Sequence, residues 1–402
     1  MRILVLSPKP PWPPHDGGAV ATMRCIEGLV AGGALVSLMT IRTEKHHPYP
    51  DASLQPSAGL EHYETVIVNT RVRPLRLLAN LLFSGEPYDL VRFHVRQYSD
   101  ALHILLVKEQ FDIIQCEGLL FSYYVDEIRS VTSSPIILRA HNVEHRIRYL
   151  MAEEASGTLK KAYLKNLAGR IKKREVFAAR QFDSIVPISE PDFKWFRSVS
   201  PDKPMILYET GADIREPAAY TDSKSLRVGF IGALNWQPNI DGLKWFLTGV
   251  WPRVSEAIPG ATLHIAGRGA SRSVREQLCG KNVFFEGEVD DARQYTDSMT
   301  VMIAPLFAGS GLRIKIIEAM SLGKTVVATP VAASGLSVED KHELLIGKDA
   351  PSFSDALISA LRDPALRAET GARARELVKN RFDNLEQTSG LLAFYKKICD
   401  GR

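Results

Sequence analysis

Short apolar runs recur along the chain, separated by stretches with helical spacing. Residues 2–6 read as a buried strand, and a proline- and glycine-rich turn follows, ending at Asp16, Gly17 and Gly18. A helical pattern over 19–31 closes at Gly32 and Gly33, and another apolar run spans 35–41. Strand, glycine turn, helix and strand make a βαβ unit. Further strand-like runs lie at 65–68, 111–116, 136–139 and 184–188. Apolar runs alternating with helices predict a parallel sheet covered on both faces.

The pattern then restarts. A polar stretch at 214–225 reads as a linker, and 226–232 is a fresh strand ending at Gly232. A helix is expected over 236–250, then strands at 262–266, 283–286, 301–305, 325–328 and 344–346, and terminal helices at 363–380 and 385–398. The expected fold is α/β, with two doubly wound Rossmann-like domains facing across a cleft. They span 1–213 and 214–384, and a helix over 385–402 packs back on the first. Ligands of such sheets bind outside the carboxyl ends of the strands.

A length of 402 residues suits two domains. The formal charge of +4 is too small and too dispersed to argue for nucleic acid. Cys25, Cys116, Cys279 and Cys399 lie far apart, so neither a disulfide framework nor a zinc site is expected, and a reducing cytoplasm fits. No apolar run is long enough to cross a membrane, and the run after Met1 is too short for a secretory leader. Residues 160–180 carry eight basic residues against one acid, Glu175. Leu159, Tyr163, Leu167 and Ile171 recur there every four residues, as in an amphipathic surface helix. Attraction to anionic lipid, with peripheral contact on the inner face of the membrane, is the alternative reading.

The segment richest in chemistry follows the strand that ends at Pro305. A loop of Gly309, Ser310, Gly311 and Leu312 precedes a helix carrying Arg313, Lys315 and Glu318. Free amides at a helix start form an anion site. Cations in the first turn oppose the helix dipole, which calls for a compensating anion. Glu318 lies seven residues after Gly311 on nearly the same face, about 10 Å further along at 1.5 Å per residue. That is roughly the reach from a diphosphate to a ribose, whose hydroxyls a carboxylate accepts. A solvated helix with an Arg–Glu pair is the plainer alternative.

Other motifs carry less. Gly323, Lys324 and Thr325 resemble the end of a phosphate loop, but Glu318 stands where its first glycine belongs. Gly267, Arg268 and Gly269 follow a strand without the third glycine of a dinucleotide fingerprint, so Arg268 is kept only as a cleft residue. His141, Glu144 and His145 fit HxxEH, yet no distant third ligand is evident and no metal is expected. A polar strand-end cluster or a substrate-binding histidine is the commoner reading. His46 and His47 read as surface.

Residues 309–320, followed by 323–328, resemble the nucleotide-sugar signature of the family 4 glycosyltransferases, which have the GT-B fold. That family usually carries two glutamates with seven residues between them; here the second is Glu318 and the first falls on Ser310. The chain therefore resembles a variant branch with a Gly-Ser-Gly loop. Asp16-Gly17-Gly18, His141, Pro187 to Glu190, Gly211 to Asp213, and Gly232 to Asn239 match further family stretches. The usual arginine and lysine of the first C-domain loop are replaced by Ala233 and the Pro238-Asn239 region. The resemblance implies a metal-independent retaining glycosyltransferase with no cofactor beyond its nucleotide-sugar donor. Its acceptor would be a glycan, a lipid-linked sugar or a small molecule, in polysaccharide or glycoconjugate synthesis. It implies that Arg313, Lys315, Glu318 and His141 carry the reaction. Gly17, Gly18, Gly232, Asn235, Arg268, Gly309, Ser310, Gly311 and Leu312 would hold the donor. A sugar-nucleotide epimerase and a non-catalytic nucleotide-sugar-binding protein remain alternatives, and a NAD oxidoreductase ranks last.

Overall fold

The computed structural model describes residues 1–14, 16–43, 59–212, 214, 226–308, 313–336 and 338–401. They form two compact units, Met1–Thr210 with Leu385–Arg402, and Gly211–Asn384. The linker expected up to residue 225, apart from Ile214, lies outside the described residues, as do Asp213, His46 and His47.

The first unit is built on strands β1 (Arg2–Ser7), β2 (Leu35–Arg42), β3 (His62–Ile67), β4 (Ile113–Glu117), β5 (Ile136–Ala140) and β6 (Ser184–Pro187). Their order is β3-β2-β1-β4-β5-β6, all parallel. The inner strands bury both faces, which is why they read as unbroken apolar runs. Edge strand β3 does not. Its alternation of His62, Tyr63, Glu64 and Thr65 leaves most of it half-exposed, so the strand starts three residues before the apolar run that marked it in the sequence. The helix Gly17–Ala31 starts where the Asp16 carboxylate accepts from the Ala19 amide at 2.9 Å. It ends at Gly32, and Gly33 follows at a φ of +83°.

The basic stretch lies on the helix Thr158–Gln181. Its buried face is Leu164, Leu167, Ala168, Ile171, Glu175 and Ala178, while Leu159 is 87% exposed. A strict four-residue repeat drifts round a helix of 3.6 residues per turn. Alternating steps of three and four, not Leu159 and Tyr163, therefore define the packed face. The helix Asn384–Asp400 adds Leu391 and Tyr395 to the core formed with Ile3, Val5, Val36 and Ile113.

The second unit repeats the plan with β7 (Arg227–Ile231), β8 (Thr262–Ala266), β9 (Val283–Gly287), β10 (Val301–Ala304), β11 (Thr325–Ala328) and β12 (Leu345–Ile346). The order is β12-β11-β10-β7-β8-β9, again parallel. In each sheet the strand order reverses beside the first strand, between β1 and β4 and between β7 and β10. A doubly wound sheet opens its ligand crevice at that point. The single helix expected over 236–250 runs as Gln237–Trp245, widens into a π-type turn over Phe246–Val250, and resumes as Trp251–Ala257. Pro252 has no amide to donate to the preceding turn, which accounts for the widening. Gly242 lets this helix lie directly on the end of β10: a Cβ there would stand 1.7 Å from the Pro305 carbonyl oxygen.

Candidate functional site

In the second unit the predicted cations follow the carboxyl ends of β8 (Arg268) and β10 (Arg313 and Lys315). Arg313 caps the helix Ile314–Ser321 and is only 7% exposed. Lys315 sits in its first turn. Its Nζ donates to Asn239 Oδ1 at 3.0 Å and stands 4.4 Å from the centre of the Phe230 ring. Asn239 is itself fixed, donating through Nδ2 to the Ala233 carbonyl at 2.8 Å. Among the described residues no carboxylate pairs with the ammonium. Burial, reinforced by the Arg313 charge, pulls its pKa down to about 7. Burial also lowers that of Arg313. Two cations thus lie close together in a desolvated place, and the Lys315 ammonium is held by a neutral amide.

The backbone comes close here as well. A Cβ on Gly232 would stand 2.9 Å from Asn239 Nδ2 and 3.3 Å from Lys315 Nζ, so glycine leaves that space open. Gly267 lies against the Gly232 carbonyl, and the Leu234 amide donates to the Arg268 carbonyl at 2.8 Å. Asn235 is exposed and packs on Gly269, whose φ is +76°. Glu318 lies one turn after Lys315 on the same helix face. The helix begins at Ile314, so Glu318 is only about 6 Å into it. Gly309, Ser310, Gly311 and Leu312 lie outside the described residues. Lys324, the false phosphate-loop lysine, pairs with Asp297 at 3.1 Å.

In the first unit His141 follows β5 and reaches back to β4. Its Nε2 is 2.6 Å from Glu117 Oε2, an oxygen that also accepts from Arg139 Nη1 at 2.7 Å and Thr22 Oγ1 at 2.9 Å. Gln115 Nε2 donates to the other Glu117 oxygen at 2.5 Å, and Tyr395 donates to Gln115 Oε1 at 2.6 Å. Glu117 and Arg139 are fully buried. Burial alone would raise the Glu117 pKa, but Arg139, His141 and Gln115 outweigh it and hold it at about 2. An ionised Glu117 only accepts, so His141 donates through Nε2. Its neutral form then keeps an acceptor lone pair on Nδ1. That nitrogen faces the start of the Gly17–Ala31 helix, 3.7 Å from where a Gly18 Cβ would be. The Asp16 carboxylate occupies this helix start and pairs with Lys9 at 2.5 Å.

The HxxEH residues do not converge. His145 Nδ1 is 2.5 Å from Glu175, whose carboxylate also accepts from the amides of Glu144 and His145. Glu175, the lone acid of the basic stretch, thus caps the helix Glu144–Glu154. Sequence reasoning missed Glu117, and it named Asn239 only within a family stretch, without its contact to Lys315. A signal existed for Glu117. Gln115 and Glu117 are alternate, same-face polar residues at the carboxyl end of an apolar strand, where ligands bind.

Residues 225–363 match the family described as "Glycosyl transferases group 1". Over this stretch the second unit is similar to the group 1 glycosyltransferases. It is 22% identical to an "uncharacterized 44.6 kDa protein in cps region" of Klebsiella pneumoniae, over 97% of this chain and 98% of that one. It is 34% identical to the phosphatidyl-myo-inositol mannosyltransferase of Mycolicibacterium smegmatis, over 37% of this chain and 39% of the relative. Among solved structures, sucrose-phosphate synthase from Thermosynechococcus elongatus has a TM-score of 0.69 at 18% identity, with all of both chains covered. Anabaena Alr3699/HepE in complex with UDP and glucose has a TM-score of 0.67 at 16% identity, over 99% of this chain and 100% of that one. The chain therefore has the GT-B fold class, with two parallel six-stranded sheets flanked by helices.

Proposed function

We propose that this protein is a glycosyltransferase, a retaining, metal-independent enzyme of the hexosyltransferase type. It moves a sugar from a nucleoside-diphosphate sugar to a glycan, lipid-linked or small-molecule acceptor in polysaccharide or glycoconjugate synthesis. The observation that carries this reading is Lys315, desolvated beside Arg313 and held by a neutral amide rather than a carboxylate. A diphosphate placed there would meet both cations and the start of a helix. Departure of a nucleoside diphosphate needs charge stabilisation, which Arg313 and Lys315 supply in place.

Glu318 suits the ribose hydroxyls, and Arg268, Asn235 and Gly232 line the loops beside them. Gly309, Ser310, Gly311 and Leu312 are assigned to the phosphates by family resemblance. Nδ1 of His141 suits a sugar hydroxyl, and the Gly17–Gly18 backbone leaves room beside it. The UDP and glucose complex of the Anabaena protein supports a nucleotide-sugar donor.

Thermal unfolding with UDP, GDP, ADP, dTDP and NAD, without metal, tests the donor site. A ligand at about 100 times its dissociation constant adds roughly 2.7 kcal/mol and raises Tm by several degrees. A shift with one nucleoside diphosphate selects the base, whereas a shift with NAD alone overturns the reading. With the matching donor, Arg313→Ala and Glu318→Ala should each lower turnover roughly tenfold or more while Tm holds. Wild-type turnover in either variant would remove that residue from the mechanism. Donor turnover without any acceptor would point to an epimerase.

A further inference from the structure

The helix Pro74–Phe83 is turned inside out. None of its ten residues is buried. Leu75, Leu78 and Leu82 are 83%, 53% and 63% exposed, and Ala79 is exposed between them. They stand at i, i+3, i+4 and i+7, so they form one face. Phe83, at 88%, extends it. The opposite face, with Leu77, Asn80 and Leu81, is half-buried. Arg170 fixes that side. It donates to the Asn80 carbonyl at 3.0 Å, to Asn80 Oδ1 at 3.2 Å and to the Leu81 carbonyl at 2.8 Å. The orientation is therefore held by hydrogen bonds on the inner side, and the apolar stripe points outward.

We infer that this helix docks the first unit onto an anionic lipid surface, with Leu75, Leu78, Leu82 and Phe83 entering the headgroup boundary. Charge selects the occupant. Residues 69–85 hold Arg71, Arg73 and Arg76 and no acid. The Thr158–Gln181 helix, joined to it through Arg170, exposes Lys160, Lys165, Lys172 and Lys173. An apolar stripe flanked by cations matches acyl chains beneath anionic headgroups. Ten residues extend about 15 Å, too short to cross a bilayer, so the helix lies in the surface plane. A second copy fits poorly, because a two-fold interface sets the patch against itself and brings like charges together. The helix belongs to the first unit and the donor cations to the second, and vesicle binding requires no nucleotide.

The test is flotation of the full chain with vesicles of equal parts phosphatidylglycerol and phosphatidylcholine, and with phosphatidylcholine alone. The protein should float with the anionic vesicles, far less with the neutral ones, and less as salt rises. The double variant Leu75→Gln/Leu82→Gln should lose roughly tenfold or more in partitioning. Arg73→Glu/Arg76→Glu should lose a similar amount and flatten the salt dependence. Both variants alter exposed side chains, so Tm and the nucleotide-induced Tm shift should stay at wild-type values. The proposal is overturned if wild type ignores anionic vesicles, or if both variants float like wild type. It is also overturned if wild type is a dimer that the leucine variant dissociates while vesicle binding is absent. Loss of the nucleotide shift with vesicle binding intact would strike the donor site and leave this surface standing.

Discussion

If the donor diphosphate sits at Lys315, its binding should be coupled to a proton. In the free protein its pKa is about 7, against an ordinary 10.5, because burial and Arg313 disfavour the charge. A diphosphate beside the ammonium would restore the charge, so binding should take up a proton. If only the charged form binds, about half the protein is competent at pH 7 and about one part in a hundred at pH 9. Affinity should fall about fiftyfold over those two units. The assay is calorimetric titration with a nucleoside-diphosphate sugar, whose phosphates do not titrate in this range, in buffers of unlike ionisation enthalpy. Proton uptake should approach one per donor above pH 8. Lys315→Arg keeps a permanent charge and should flatten the profile. Without ligand the sign reverses. Between about 7 and 10.5 the unfolded chain binds the proton that the folded one has lost, so this group makes stability rise with pH. A wild-type affinity that is flat from pH 7 to 9, with no proton uptake, would refute the placement of Lys315 at the phosphates.

Glu117→Gln should leave Arg139 buried without its counter-charge and cost roughly 3–5 kcal/mol in urea unfolding. Because the folded pKa of Glu117 is depressed to about 2, its stabilisation is full above about 4.5 and is lost as pH falls from there to about 2. That acid limb should be shallower in the variant, and equal limbs would contradict the network. Gly242→Ala should destabilise the second unit by roughly 3 kcal/mol or more, since its Cβ would meet the Pro305 carbonyl at 1.7 Å. A calorimetric trace matching wild type would rule out that backbone contact.

Most of the scaffold was legible because parallel strands buried on both faces leave unbroken apolar runs. β8 and β11 begin and end at the residues expected from the sequence. β3 slipped because an edge strand alternates and its apolar run covers only one end. The π-type turn before Pro252 was hidden because hydrophobic spacing hardly changes when one turn widens. Arg313 and Lys315 could be found from the loop-to-helix pattern. Asn239 could be placed only by its family stretch, because an amide beside a proline has many ordinary uses and its contact with Lys315 is what gives it a role. Glu117 and Arg139 lie 22 residues apart on neighbouring strands, and no local pattern links them. The outward leucines of Pro74–Phe83 show perfect helical periodicity, but periodicity does not say which side faces in.

The helix Asn384–Asp400 has a consequence for how the protein is made. Tyr395 donates to Gln115 directly beneath the His141–Glu117 pair, and Leu391 fills the same core. The second unit is one continuous stretch, Gly211–Asn384, whereas the first is completed only by residues from 385 onward. On the ribosome, then, the unit synthesised first finishes last. Its sheet emerges early but lacks a piece of its interior until the residues from 385 onward have followed. During that interval the core around Ile3, Val5 and Ile113 lacks Leu391 and Tyr395, and Gln115 lacks its tyrosine donor.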